Sequence, residues 1–216
     1  MWTYHPDLLA TAVPRYTSYP TAADFGALEE GTIERAVAQA AGDISLYLHI
    51  PFCEAICFYC GCNTAASGKR ARVEAYLAAL HQEIATVGSL LPQGARVRRI
   101  AFGGGSPNAI RTGEFLALVD ALHAHLPLFA PEWSIELDPR SLTAEWSGVI
   151  ASVGITRASM GVQTFAAHCQ KAIGREQSPT MICRSSDWLR KGGVTSLNFD
   201  LMYGLPHQSE ADLEDS

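Results

Sequence analysis

Residues 46–63 read LYLHIPFCEAICFYCGCN, an apolar run that leads directly into Cys53, Cys57, Cys60 and Cys62. The first three cysteines have the spacing C-x3-C-x2-C. Sulfurs set this closely on one loop call for a metal or a disulfide rather than for packing. A [4Fe–4S] cluster usually takes four cysteine ligands. Three would leave one iron open, and an open iron can bind and activate a second molecule. A structural zinc site could use all four cysteines as a closed tetrahedron. Such sites usually combine two separated ligand pairs, and no second pair occurs in this chain, so the spacing favours iron–sulfur. Cys62 stays open as a fourth ligand, a substrate-side thiol or a bystander. Tyr59 lies between two of the cysteines and could lie flat against a cofactor ring or simply shield a cluster from water.

Around that loop the composition is that of a soluble globular protein, with 48% hydrophobic and 18% charged residues in 216. This length suits one well-cored domain. A formal net charge of −6 argues against nucleic acid as a partner. The first residues show no basic segment followed by an apolar one, so no signal peptide is expected. No run reaches the roughly 18 apolar residues of a membrane span. Six cysteines without a secretory signal point to the reducing cytoplasm, where a cysteine cluster reads as metal-binding. Cys169 and Cys183 stand apart and read as buried or half-buried inert thiols. With no coiled-coil pattern, a monomer is the default.

Apolar β-rich runs alternate with helical patterns. Strands are expected at 44–50, 97–102, 133–137, 155–160 and 194–202. Helices are expected near 28–40, 70–91, 113–126, 143–152, 165–173 and 180–191, the second carrying Val73, Leu77, Leu80, Ile84 and Val87 at helical spacing. Such alternation implies right-handed βαβ units and a parallel sheet. Five strands end in polar or glycine-rich strings: HIPFC, GGGSP, ELDPR, SMGVQ and DLMYGLP. In a parallel barrel the catalytic groups come from the C-terminal ends of several strands. The expected fold is therefore α/β, a partial parallel (βα) barrel with four complete units and a fifth strand. After Pro206, HQSEADLEDS reads as a helix cap and a first acidic turn. Two segments are expected: residues 1–43, an aromatic loop (Pro14–Phe25) and a helix, and residues 44–216, the incomplete barrel.

Gly103, Gly104 and Gly105 would let backbone approach a ligand closely. They do not form G-x-G-x-x-G, and Pro107 argues against a phosphate-cradling turn. Glu136 sits in an otherwise apolar strand, where a carboxylate needs a partner; it could meet a ligand, or pair with Arg140 or Arg157. Gln163, Arg175 and Asp200 can each be an ordinary satisfied polar group. Together they offer the acid, amide and guanidinium that a ligand bearing both ammonium and carboxylate requires. The basic strings 69–72 and 96–99 read as solvated faces. Arg15, Tyr16 and Tyr19 belong to a loop that could cover a site mouth or strap the barrel.

PRYTSYPTA, LYLHIPFCEAICFYCGCN, FGGGSP, IELDPR, SMGVQTF, IGREQ and NFDLMYGLP occur in that order. Through these motifs the chain resembles the radical S-adenosylmethionine (SAM) enzymes and, among them, the oxygen-independent coproporphyrinogen III oxidase family. The likeness runs from about Pro14 to the end. It implies that Cys53, Cys57 and Cys60 ligate a [4Fe–4S] cluster whose open iron takes the amino and carboxylate groups of SAM. It implies that Tyr47, Tyr59, Gly104, Gly105, Ser106, Glu136, Gln163, Arg175 and Asp200 line sites for SAM, two molecules of it in this family. Cys62 matches a cysteine that is not one of the three ligands. Ser106 stands where the family commonly has Thr, and members run to about twice this length.

The implied activity is oxidative decarboxylation of two propionates of coproporphyrinogen III, giving protoporphyrinogen IX in anaerobic haem biosynthesis in the cytoplasm, with an electron donor left unidentified. Three other readings stay open: a haem-binding chaperone of the same superfamily, an inactive truncated fragment, and a zinc-stabilised interaction domain.

Overall fold

A computed structural model describes residues 24–216. The motif PRYTSYPTA, with Arg15, Tyr16 and Tyr19, lies outside the described residues. The chain divides into two compact units, Met1–Ala36 and Val37–Ser216. Helix α1 (Thr32–Ala38) begins later than the periodicity suggests. Gly31 precedes it with φ 74°, a left-handed turn that a helix running through Leu28 would not permit.

The second unit contains a five-stranded sheet of β1 (Gly42–Ile50), β4 (Ala95–Gly104), β5 (Leu128–Leu137), β6 (Arg157–Gln163) and β7 (Ser196–Leu201). Each strand pairs in parallel with the next in that order. Sequential parallel order is how a (βα) barrel winds, and this sheet is a partial barrel. Helices α2 (Arg70–Leu90), α3 (Thr112–His125), α4 (Ala144–Val153), then α5 (Ala167–Ala172) with α6 (Pro179–Lys191), connect the strands. Helix α7 (Glu210–Glu214) follows β7, capped by Ser209, whose hydroxyl accepts the Asp212 N–H. Among the described residues, no helix is long and apolar enough to cross a membrane.

The core forms where the sheet meets the helices. Ile50, Ile100, Phe102, Ile135 and Met160 from the strands are fully buried. Val73, Leu77, Leu80 and Ile84 of α2 pack into the same core, one face of the helix at the spacing the sequence shows. Burying a side chain of this size stabilises by about 1.5–3 kcal/mol. That burial, rather than the polar loops, sets the register of the sheet.

Strand β5 starts at Leu128, earlier than the expected Trp133. The sequence reads as broken at Pro131, but a register shift between Val97 and Arg99 and a positive φ of 43° at Ala130 absorb the proline in a bulge. A second pair, unseen in the sequence, joins β2 (Phe52–Cys53) to β3 (Ala65–Ala66). Residues too short to signal a strand are paired here by the return of the cysteine loop. Cys169 is buried as expected, whereas Cys183 is exposed on α6, on the side of the helix away from Ile182 and Leu189.

Candidate cofactor site

The cysteine loop is fixed at its base and at its far side. At the base, Ala65 N–H donates to the Pro51 carbonyl at 2.7 Å and Ser67 N–H to that of Cys53 at 2.8 Å. Across the loop, Phe58 N–H donates to the Ile173 carbonyl at 2.9 Å, after α5. The Phe58 ring lies against Gly174, where φ is 66° and an added Cβ would come within 3.1 Å of the ring. Cys57 is buried, Cys53 and Cys60 are half-buried and Cys62 is exposed, and none is in a disulfide.

All four cysteines line one cavity of about 200 Å³ at the C-terminal ends of the strands. Tyr59, Gly104, Gly105, Glu136, Gln163, Arg175 and Asp200 line it as well. Ten of the twelve expected site residues therefore share a single cavity. The other two do not. Ser106 is buried, with its hydroxyl 2.6 Å from Asn108 Oδ1. Tyr47 is exposed beside the cavity, its hydroxyl 3.2 Å from His49 Nδ1. His49 Nε2 lies 3.0 Å from the Asn63 carbonyl, which can only accept, so Nε2 carries the proton and Nδ1 accepts from Tyr47.

The glycines act by what they lack. A Cβ on Gly103 would come within 2.6 Å of Glu136 Oε2, and one on Gly105 within 2.6 Å of the Phe52 carbonyl. The Glu136 carboxylate thus rests over β4 and accepts the Gly104 N–H. It pairs with neither arginine considered from sequence. Arg157 meets Glu132 at 3.5 Å, and Arg140 meets Asp138 at 2.7 Å.

Asp138 is the residue the sequence reading missed. It is buried between Arg140 and Arg175, which reaches it at 3.1 Å. Its N–H donates to Asn108 Oδ1 at 3.0 Å and to the Ser106 hydroxyl at 3.2 Å, so the loop after β4 clamps the loop after β5. Both guanidinium groups also donate to Cys57 Sγ, Arg175 at 3.4 Å and Arg140 at 3.5 Å. A signal existed in the string DPR: an acid two residues before a base, immediately after a strand.

These contacts set the electrostatics. Burial opposes ionisation of Asp138, but the hydrogen bond from Arg140 and the charges of Arg175 and Arg140 outweigh it and hold the carboxyl below its usual range. Burial pushes the Cys53 thiol up to about 11, and the Asp138 charge adds to the effect. Burial also raises the Tyr59 phenol, against the opposing charge of Arg175. The Tyr47 phenol is raised by partial burial and by the charge of Glu136.

On the far wall, Asp200 Oδ2 accepts the Ser159 hydroxyl at 3.0 Å and Oδ1 accepts from Asn198 at 2.8 Å. Gln163 ends β6 at φ 67°, left-handed for a non-glycine residue, where the β6–β7 register shifts. Backbone held in that region costs about 1–3 kcal/mol and concentrates at ligand sites.

Thiols on the first loop, an acid on the third, a guanidinium on the fourth and a carboxylate at the end of β7, all facing one cavity, are the arrangement of a cofactor-dependent α/β barrel. The Radical SAM superfamily matches residues 47–216, and the chain belongs to it. Members of this family use a [4Fe–4S] cluster and SAM. The oxygen-independent coproporphyrinogen III oxidase of Bradyrhizobium diazoefficiens is 41% identical over 94% of this chain and 46% of its own length. That of Cereibacter sphaeroides is 40% identical over 97% of the chain and 47% of its length. Among solved structures, coproporphyrinogen III oxidase from Escherichia coli, a radical SAM enzyme, superposes with a TM-score of 0.88 at 35% identity, over 98% of this chain and 48% of that one. The chain spans about half the length of the curated relatives it matches.

Proposed function

We propose that residues 44–216 hold the cofactors of a coproporphyrinogen III oxidase, with residues 1–43 as a separate preface. In this reading Cys53, Cys57 and Cys60 ligate a [4Fe–4S] cluster, and Cys62 does not. Glu136 and the Gly104–Gly105 backbone receive SAM nearest the cluster. Gln163, Arg175 and Asp200 extend the site toward β7 and would meet a second SAM. The convergence of the three thiols with Glu136, Gln163, Arg175 and Asp200 on one cavity carries the proposal. The donor set fits the cofactors: three thiols for iron, carboxylates for an ammonium and a guanidinium for a carboxylate.

When bound, the cluster and SAM supply a strongly oxidising radical. The protein's part is to orient them and exclude water. Tyr59, half-buried between two ligands, shields the cluster side. Ser106 acts at one remove, by holding the Asp138 loop, and Tyr47 by fixing the His49 ring. An enzyme built on these residues would decarboxylate two propionates of coproporphyrinogen III to give protoporphyrinogen IX. A cytoplasmic setting follows from clustered free thiols, which persist in a reducing compartment. The test is an anaerobic assay of SAM cleavage with and without coproporphyrinogen III. Cleavage stimulated by the porphyrinogen supports the reading, and a reconstituted chain holding zinc without inorganic sulfide would refute it.

A further inference from the structure

We propose that Arg140 is a positioning residue that acts through Cys57, raising the reduction potential of the cluster held there. The inference rests on the ligand assignment above. Arg140 does not line the cavity, so it is not placed to meet SAM. It lies behind the deepest thiol. Its Nη2 reaches Asp138 at 2.7 Å, the Ala55 carbonyl at 3.4 Å and Cys57 Sγ at 3.5 Å. Asp138 alone would satisfy an ordinary ion pair. The additional reach to the cysteine loop places a charged N–H on the ligand sulfur.

The direction follows from charge. Reduction adds an electron to a cluster whose thiolates are already negative. A positive donor on one thiolate stabilises the reduced form more than the oxidised one. Arg175 contributes from the other side of the same sulfur, and one carboxylate, Asp138, faces the two guanidinium groups. These three groups, the ones in contact with Cys57 or with its two arginines, sum to a positive charge. Asp138 and Cys57 are both buried, so water screens this charge weakly. Asp138 fixes where the Arg140 charge sits, and the clamp from Ser106 and Asn108 fixes Asp138.

The test compares the 216-residue chain with its Arg140→Gln and Arg140→Lys variants, each reconstituted without oxygen. Iron and inorganic sulfide are measured first, then the cluster's midpoint potential by titration in the absence of SAM. The Gln variant is expected at a more negative potential with undiminished iron, and the Lys variant should recover most of that shift. Equal potentials in all three chains with full iron and sulfide would overturn the inference and leave the ligand assignment standing. Absence of iron and sulfide from the unsubstituted chain would overturn the assignment itself. A second measurement needs no neutral variant. With arginine labelled by ¹⁵N, the reduced cluster should show nitrogen hyperfine coupling that weakens in the Lys variant. Absence of any such coupling overturns the inference.

Discussion

The Glu136 carboxylate accepts the backbone N–H of Gly104 at 3.2 Å. A side chain on β5 is thereby aimed across the neighbouring strand, over a glycine that leaves it room, and toward the cysteine loop. The sequence reading of Glu136 expects a carboxylate in need of a burial partner, but burial alternates along β5, and Glu136 is on its exposed face beside buried Ile135 and Leu137. Glu136 also lines the cavity that holds the cysteines.

Gly103→Ala tests that arrangement. The new Cβ would come within 2.6 Å of Glu136 Oε2, so the carboxylate must swing away. The end of an exposed, flexible side chain moves at little cost, so urea stability should change little, while SAM affinity should fall by about tenfold or more, each tenfold being about 1.4 kcal/mol. Gly88→Ala is the structural control. Its Cβ would strike the His125 carbonyl at 2.3 Å, far from the cavity lining. It should lower the urea midpoint while SAM binding by the folded fraction stays unchanged.

Reconstituted protein should be brown and absorb in the iron–sulfur charge-transfer region. Cys53→Ala, Cys57→Ala or Cys60→Ala should each abolish that colour, and Cys62→Ala should keep it. Iron and inorganic sulfide analysis of the four variants decides. Equal loss of iron in the Cys62 variant contradicts the three-ligand assignment.

Stability at low pH should carry the signature of Asp138. Its carboxyl titrates below the usual range when folded, so its contribution is complete above the ordinary carboxylate pKa of about 3.9 and is lost as pH falls through the folded value. Urea unfolding of the unsubstituted apo chain should weaken in that acidic window. Asp138→Asn should remove this part of the acid dependence. At neutral pH it should cost about 3–5 kcal/mol, because Arg140 and Arg175 are left without their buried carboxylate. An unchanged acid profile in the variant counts against the pairing.

Gln163→Gly separates backbone strain from side-chain function. At φ 67° glycine is unstrained, so relief should offset part of glycine's entropic cost, leaving urea stability within about 1 kcal/mol of the starting chain. Removal of the amide should still weaken SAM binding. A variant that binds SAM as before would take Gln163 out of the site.

Elements with a strong apolar period were legible from the chain. Val73, Leu77, Leu80 and Ile84 marked α2, and the five apolar runs marked the sheet, through burial in β1, β4, β5 and β6 and through pairing with β6 alone in β7, where no residue is buried. The bulge at Ala130–Pro131 was not, since a proline reads as a break until a neighbouring strand shifts register to accommodate it. Glu136 was legible as an anomaly in its strand, but its partner was not. The arginine close in sequence, Arg140, turns instead to Asp138, and the glycine that receives Glu136 lies 32 positions away.

By itself the amino-acid order determined the cysteine cluster on one loop and the alternation of strand and helix, because thiol spacing and apolar period are local properties of a chain. Only the folded sheet decided which polar groups meet. Parallel strands carry every loop after a strand to the same end, and packing there brought Asp138, Arg140 and Arg175 against Cys57 while leaving Tyr47 and Ser106 outside the cavity. Those contacts join residues up to 118 positions apart, and no local pattern encodes such a distance.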